Sequence, residues 1–191
     1  MMRPVDAGVA TGAFMQIGIR FPHAFSANVA MALFMLPGIA SAQSGGCVIE
    51  RDAGTARQIM RCADGVTITA EGGARFNVVD RNGDGRPDAV SLRNKAVLVD
   101  VDSVRHAGGF QVVTPQAIAA VRGTQWAVDV KNGTTSVFVV RGRVAVGRPS
   151  QRPTVVLSPG EGVDVTAGNA PLTVRRWPLP RVAALLARLG Q

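Results

Sequence analysis

The clearest strand pattern in the chain is Trp126-Ala-Val-Asp-Val-Lys-Asn-Gly-Thr-Thr-Ser-Val-Phe-Val-Val140. Its first five residues alternate between larger apolar side chains and small or polar ones, which is the period of a half-buried strand. Asn132-Gly133 is a strong turn signal, and a second hydrophobic run, 136–140, follows it. This stretch predicts two β-strands separated by a turn.

The same pattern continues on both sides of this stretch. Short β-rich runs recur about every ten residues from residue 66 onward, separated by turn signals such as Gly72-Gly73 and Pro159-Gly160. The predicted strand runs are 66–69, 76–79, 89–92, 96–101, 110–113, 126–130, 136–140, 144–146, 154–157, 162–165 and 172–174. We predict an all-β fold, a compact or solenoid-like stack of short antiparallel strands. Sandwiches, barrels and solenoids all produce this pattern.

The carboxyl-terminal region has a different period. Four aliphatic side chains have the i, i+3, i+4, i+7 spacing of one helix face: Val182, Leu185, Leu186 and Leu189. Arg181 and Arg188 border this apolar stripe. We predict a short C-terminal amphipathic helix within residues 175–191. Such a helix either covers the core of its own domain or docks on a partner or an anionic membrane surface.

The amino-terminal region carries an export pattern. An apolar run, residues 29–40, leads into the small residues Ala40-Ser41-Ala42. A transmembrane helix needs ~20 apolar residues, whereas a shorter run before small residues fits a cleaved signal peptide. We predict that residues 1–42 are a signal peptide and that the mature chain is periplasmic or secreted. A short membrane anchor and an organellar transit peptide are the alternatives.

The formal charge of +8 is concentrated in one half of the chain. Residues 43–112 hold nine basic and nine acidic side chains, whereas residues 113–191 hold ten basic and three acidic ones. With 47% hydrophobic and 18% charged residues, the chain has the composition of a folded domain. Aromatic residues reach only 5%, so stacking platforms for bases are scarce, and we expect no nucleic acid. In an exported protein, the excess charge indicates an envelope protein or an anionic surface component as the partner.

Cys47 and Cys62 are the only cysteines, and they enclose two short strand-like pieces around a turn at 52–55. A hairpin would bring the two sulfur atoms together, and an even cysteine count in an oxidising compartment favours a disulfide. We predict a disulfide hairpin over residues 43–65, which would stabilise the fold by ~3 kcal/mol through loop entropy. Two buried free thiols are the alternative.

Residues 80–88, Asp-Arg-Asn-Gly-Asp-Gly-Arg-Pro-Asp, form the most specific motif in the chain. Ca²⁺ takes oxygen ligands from a tight loop with acids or amides at alternate positions. The candidate ligands are Asp80, Asn82, Asp84, the backbone carbonyl of Arg86, and Asp88. The string 79–90 resembles the strand-flanked calcium loop of integrin-type β-propeller repeats, which implies these ligand roles. An EF-hand is disfavoured because Ser91 stands at its glutamate position, and a metal-free hairpin connection is the alternative.

The sequence offers no catalytic set. The one histidine after residue 42 is His106, beside Ala107-Gly108-Gly109, and we predict that it is an exposed turn residue. The chain lacks tyrosine and a G-x-S-x-G motif, and paired cysteines cannot act as nucleophiles. We therefore expect no enzymatic activity and identify no small-molecule substrate.

A series of sequence marks follows in a defined order and spacing. In chain order they are Val113-Thr114-Pro115, Arg122-Gly123-Thr124, Gly142 before Val144-Ala145-Val146, and Leu157-Ser-Pro-Gly160-Glu161-Gly162. By these marks the chain resembles the FecR-type domain over roughly residues 66–166. We expect scaffold roles for the marked residues. Pro115 would interrupt strand pairing, Gly123 would supply an unusual φ angle or a close approach, and Arg122 would pair with a carboxylate or with backbone carbonyls.

The FecR resemblance implies an extracytoplasmic β domain, here over residues 66–174. FecR-type regulators combine a cytoplasmic sigma-factor-binding segment, one transmembrane helix and a periplasmic domain that contacts an outer-membrane transporter. Because the apolar run of this chain ends in a cleavage-like sequence, we expect an exported, non-enzymatic binding or scaffold module of the bacterial envelope, stabilised by calcium. The alternative is a membrane-linked signal transducer, similar to anti-sigma regulators, that relays the occupancy of an outer-membrane transporter.

Overall fold

Strands dominate the computed structural model, which describes residues 46–149, 151 and 154–191. The predicted signal peptide, residues 1–42, lies outside these residues. The elements are β1 (Cys47–Arg51), β2 (Gln58–Cys62), β3 (Val66–Ala70), β4 (Arg75–Val79), β5 (Ala89–Val101), β6 (Phe110–Val113), β7 (Ile118–Val121), β8 (Gln125–Lys131), β9 (Thr134–Arg141), β10 (Val144–Gly147), β11 (Val155–Leu157), β12 (Glu161–Thr166), β13 (Arg175–Arg176) and α1 (Leu179–Arg188). The prediction of an all-β fold with a short C-terminal helix is confirmed.

A curled sheet is divided into two layers by strand β5. The first part of β5, residues 89–92, pairs with β4 and β6, and the second part, residues 95–101, pairs with β3 and β8. Layer one has the strand order β1-β2-β3-β5-β8-β9-β12-β13, and layer two has the order β4-β5-β6-β7-β10-β11. Lys95, with a φ of 62°, lies where the two parts of β5 meet. The two runs predicted at 89–92 and 96–101 are therefore parts of one strand.

The main core consists of side chains from both layers. On β8, Trp126 and Val128 belong to this core, whereas the intervening Ala127 belongs to a second cluster on the opposite face of layer one. Trp126 is fully buried and meets Phe110 edge-on, with ring centroids 6.3 Å apart. Full burial of a large apolar side chain contributes about 1.5–3 kcal/mol. The alternating side chains of β8 therefore point in turn into the main core and into the second cluster on the other face of layer one.

Helix α1 covers the second, smaller core. Leu185 and Leu189 are buried there together with Leu98, Ala127 and Phe138 of layer one. The predicted apolar face of the helix therefore packs on its own domain, which was the first of the two alternatives for this helix. Within residues 46–149, 151 and 154–191, no helix is long and apolar enough to cross a bilayer.

Both arginines that border the apolar stripe pair with acids of layer one. Arg188 pairs with Glu71 at 3.0 Å and with Asp129, and Arg181 pairs with Asp164 at 2.5 Å. Partial burial raises the pKa of Asp164, but hydrogen bonds from Arg181 and a neighbouring serine lower it further, so that the net pKa lies below the ordinary value of 3.8. This carboxylate therefore stabilises the fold above its unfolded-state pKa, and its contribution is lost as the pH falls through the lowered value.

The disulfide prediction is confirmed. Cys47 and Cys62 are bonded, with an S–S distance of 2.09 Å. They are directly opposite each other in the antiparallel pair β1–β2. The bond therefore closes the hairpin at the ends of its strands, and the alternative of two free thiols does not apply.

Candidate functional site

Four strand connections lie close together at one end of the two sheet layers, which we call the loop end. They span residues 63–65, 102–109, 122–124 and 142–143. Glycines allow them to touch: a Cβ on Gly65 would lie 2.9 Å from side-chain carbons of the 102–109 loop. A Cβ on Gly123 would lie within 3.0 Å of Ser103 Cβ, and one on Gly142 would lie 2.9 Å from Thr124 Oγ1. The loop end is thus a closely packed platform.

The Arg122-Gly123-Thr124 mark contains two structural residues and one exposed residue. Gly123 has a φ of 62°, and the buried Thr124 hydroxyl lies 3.2 Å from the carbonyl oxygens of both Arg122 and Arg143. The Thr124 carbonyl accepts the Val101 N–H at 3.0 Å. The Arg122 side chain is exposed and has no ion-pair partner in the part of the chain that the structure describes. The expected pairing of Arg122 is not observed among the described residues, and Thr124 holds the backbone of the turn.

Thr114 and Pro115 belong to the connection between β6 and β7. The Thr114 hydroxyl donates to the Ala117 carbonyl at 2.9 Å, and it accepts the Ala117 N–H at 2.8 Å. It also lies 2.8 Å from the hydroxyl of Thr135 at the start of β9. Pro115 lies in the connection, outside both strands. These positions are those of scaffold residues.

His106 is buried, so the prediction of an exposed turn residue is wrong. Its Nδ1 lies 2.9 Å from Asp64 Oδ2, and each residue is 8% exposed. The imidazole also meets Phe110 edge-on, with ring centroids 5.9 Å apart. The pair joins the 63–65 turn to the 102–109 loop across 42 residues of sequence. No local pattern around His106 reveals a partner so distant in the chain.

Replacement of His106 by alanine is expected to destabilise the fold by about 1–3 kcal/mol, because it leaves the buried Asp64 carboxyl without its side-chain partner. Equilibrium urea denaturation followed by circular dichroism measures this loss. The double variant Asp64→Ala/His106→Ala should lose less than the sum of the two single variants, since neither partner is then left alone. Strictly additive losses would show that the two side chains do not interact.

The 80–88 segment connects β4 and β5 as a hairpin loop, and its own groups hydrogen-bond to one another. Its three carboxylates accept backbone N–H groups at 2.7 to 2.8 Å: Asp80 from Gly83 and Gly85, Asp84 from Arg86, and Asp88 from Arg81. The Asn82 amide donates to Asp84 Oδ2 at 3.0 Å. The described residues contain no group of three or more His, Cys, Asp or Glu side chains placed to hold a metal. Calcium binding by this loop, and its integrin-type likeness, stay predictions.

If the loop binds Ca²⁺, millimolar Ca²⁺ raises the melting temperature of the protein, since a ligand at a hundred times its Kd adds about 2.7 kcal/mol. The Asp84→Asn variant should weaken this response. The control variant Glu50→Gln, which removes an exposed carboxylate outside the loop, should keep it. Identical melting of the wild type in Ca²⁺ and in chelator would contradict the calcium prediction.

Exposed arginines stand around the connections of the loop end. We call four of them the basic cluster: Arg105, Arg122, Arg141 and Arg143. Arg105 and Arg141 pair with neighbouring aspartates at 3.4 and 2.9 Å. Arg122 and Arg143 have no ion-pair partner among the described residues. Val104, in the same 102–109 loop, is 87% exposed. The loop end therefore presents guanidinium groups beside one apolar side chain.

Comparison with known proteins assigns the family. The model of the FecR protein family matches residues 48–145, which run from β1 to the start of β10. The chain belongs to the FecR family. The FecR match begins one residue after Cys47, so it takes in the rest of the β1–β2 hairpin together with the Thr114-Pro115 and Arg122-Gly123-Thr124 marks.

The FecR chain also shares its fold with solved structures. Two crystal structures of a protein from Parabacteroides distasonis that is assigned as an anti-sigma factor match this chain. Their TM-scores are 0.53 and 0.51, and their sequence identities are 19% and 20%. They cover 73% and 76% of this chain, and the chain covers 63% of each of theirs, less than two thirds of their length. At such identities the likeness shows a common fold. A search of curated proteins finds no match.

Proposed function

We propose that this chain is a FecR-type signalling regulator whose β domain responds to an envelope protein by direct contact. The observation that carries the proposal is the family match over residues 48–145. The fold shared with two structures assigned as an anti-sigma factor supports the same function. These findings favour the membrane-linked signal transducer over the scaffold module, the two functions that the sequence left open.

The use of polar groups within the domain supports a binding role. The imidazole of His106 and the carboxyl of Asp64 are buried against each other, so neither is presented to a substrate. The charged groups at the loop end without an ion-pair partner among the described residues are guanidinium groups, which bind carboxylates and phosphates but perform no nucleophilic or general-base chemistry at neutral pH. We therefore propose a regulator without enzymatic activity.

The disulfide supports a location in the bacterial envelope. Such bonds form and persist in oxidising compartments such as the periplasm and are rare in the cytosol, and this chain pairs both of its cysteines. We propose that residues 1–42 direct export and that the β domain acts in the periplasm. Amino-terminal sequencing of the protein from membrane and periplasmic fractions tests whether residues 1–42 are removed or kept as an anchor.

Transcript profiling of a deletion strain tests the regulatory function. Loss of a signalling regulator should change a small group of transcripts that share promoter elements, in one direction and under standard growth. Re-expression of the full chain should restore them. A chain without residues 1–42 should fail to restore them, because the β domain would then remain in the cytosol.

A scaffold gives a different result in the same strains. Its loss would alter envelope integrity, measured as sensitivity to detergent, without a coherent change in transcripts that share a promoter. That outcome would remove the regulatory proposal. Restoration of the transcripts by the chain without residues 1–42 would equally contradict signalling from the periplasm.

A further inference from the structure

The side chain of Arg122 makes no ion pair within the described part of the chain. Gly123 and Thr124 are required by the packing of the loop end, whereas the exposed side chain of Arg122 contacts no acid in the described residues. Arg143 is in the same situation on the neighbouring turn. The backbones of these two residues lie close together, and the ion pairs of the described residues give neither guanidinium group a role in the stability of the domain.

The backbone beneath these two arginines is held rigidly. The Thr124 hydroxyl lies 3.2 Å from the carbonyl oxygens of both residues. The close approaches at Gly123 and Gly142 lock the two turns against each other and against the 102–109 loop. Because the backbone that carries these two arginines is already fixed, binding costs little backbone entropy, which favours affinity for a matching pair of anionic groups.

The surroundings of the basic cluster favour a polypeptide over a lipid surface. Asp100 and Asp102 line the groove beside Arg105 and Arg141, so this surface carries charges of both signs, which a polypeptide of mixed side chains complements better than a uniformly anionic bilayer does. The chain has no tyrosine, and both tryptophans are buried, so the aromatic anchors typical of membrane interfaces are absent. The exposed Val104 could instead contact a single apolar side chain of a bound polypeptide.

We propose that the basic cluster binds an acidic segment of an envelope protein, with carboxylates on Arg122 and Arg143 and an apolar side chain on Val104. Bidentate carboxylate–guanidinium pairs supply the geometry, and the mixed charge of the surroundings supplies selectivity against uniformly anionic surfaces. The proposal rests on the proposed function only for the location of the partner, since the binding chemistry belongs to this surface alone.

Fluorescence anisotropy with a labelled peptide of alternating Glu and Ser that carries one central Leu tests the proposal on the full chain. Arg122→Glu/Arg143→Glu should weaken binding at least about tenfold, because two attractive pairs become repulsive. The matched control Arg75→Glu/Arg93→Glu changes the net charge equally at exposed residues of β4 and β5 and should bind like the wild type. Binding should weaken as ionic strength rises from ~0.01 to ~0.15 M, where the Debye length falls from about 30 to about 8 Å.

Three results would overturn the proposal. The first is equal weakening in the two double variants, which would indicate net charge and no particular surface. The second is equal binding of a peptide with Gln in place of Glu. The third is binding to vesicles of phosphatidylglycerol, lost in Arg122→Glu/Arg143→Glu, with no binding of the Glu peptide, which would assign the surface to lipid. Unchanged melting temperatures of both double variants would show that any loss of peptide binding is not caused by unfolding. The result of the transcript experiment does not depend on these binding measurements.

Discussion

Replacing Gly123 by alanine is expected to destabilise the fold by about 2–5 kcal/mol. Gly123 has a φ of 62°, where a Cβ costs about 1–2 kcal/mol. The new methyl group would also lie within 3.0 Å of Ser103 Cβ, and relief of such overpacking typically costs about 1–3 kcal/mol more. The change forces the 122–124 turn away from the 102–109 loop. Equilibrium urea denaturation followed by circular dichroism measures the free energy of unfolding.

Two further variants separate the two costs. Gly133 has a φ of 71°, but a Cβ added there would meet no atom within 4 Å, so Gly133→Ala should cost only the backbone part, about 1–2 kcal/mol. In the Gly123→Ala background, Ser103→Gly removes the opposing Cβ and should restore most of the packing part. Equal losses for Gly123→Ala and Gly133→Ala would show that the close approach to Ser103 carries no energy.

Replacing Trp177 by alanine is expected to destabilise the fold by about 3–5 kcal/mol, the usual cost of truncating a buried tryptophan. The indole stacks on Phe138, with ring centroids 5.2 Å apart, and the guanidinium of Arg181, on α1, lies 3.5 Å from the indole ring centroid. Its loss opens a cavity in the second core and removes the surface on which α1 rests. Urea denaturation gives the change in stability, and limited proteolysis near the carboxyl terminus reports release of the helix.

Leu179→Ala is the matched control for this experiment. Leu179 begins the same helix but is 82% exposed, so its truncation should change the free energy of unfolding by less than about 0.5 kcal/mol. Unchanged stability and unchanged proteolysis in Trp177→Ala would mean that α1 does not depend on the second core. A loss in Leu179→Ala as large as that in Trp177→Ala would show that truncation in this region destabilises the fold irrespective of burial in the second core.

The strands with a clear alternation are predictable from the sequence, and the others are not. The predicted runs 126–130 and 136–140 lie within β8 and β9. Strand β7 is missed because Ala119 and Ala120 lack the β-branched signal, and it forms between β6 and β10, which pair with it on both sides. The run 172–174 is not a strand, although Leu172 and Val174 still pack against the main core.

The candidate site depends on contacts that no local pattern contains. The basic cluster brings together arginines from separate connections, and its rigidity comes from the approach of Gly123 to Ser103. The burial of His106 requires Asp64, which is 42 residues away. The stacking partner of Trp177, Phe138, is nearly as distant in the sequence. Charge counting placed the excess of arginine in the second half of the chain but not at the loop end.

By itself the sequence determined the all-β class, the disulfide, the amphipathic helix and the FecR relationship. These features depend on alternation, turn residues and short marks, which are local properties of the chain. Only the tertiary structure decided that β5 joins two layers, that α1 covers layer one, that His106 is buried, and that the turns of Arg122 and Arg143 meet, with no ion pair to either arginine from the described residues. Each of these results depends on pairing between residues far apart in the chain, and such pairing is chosen by the packing of the whole domain.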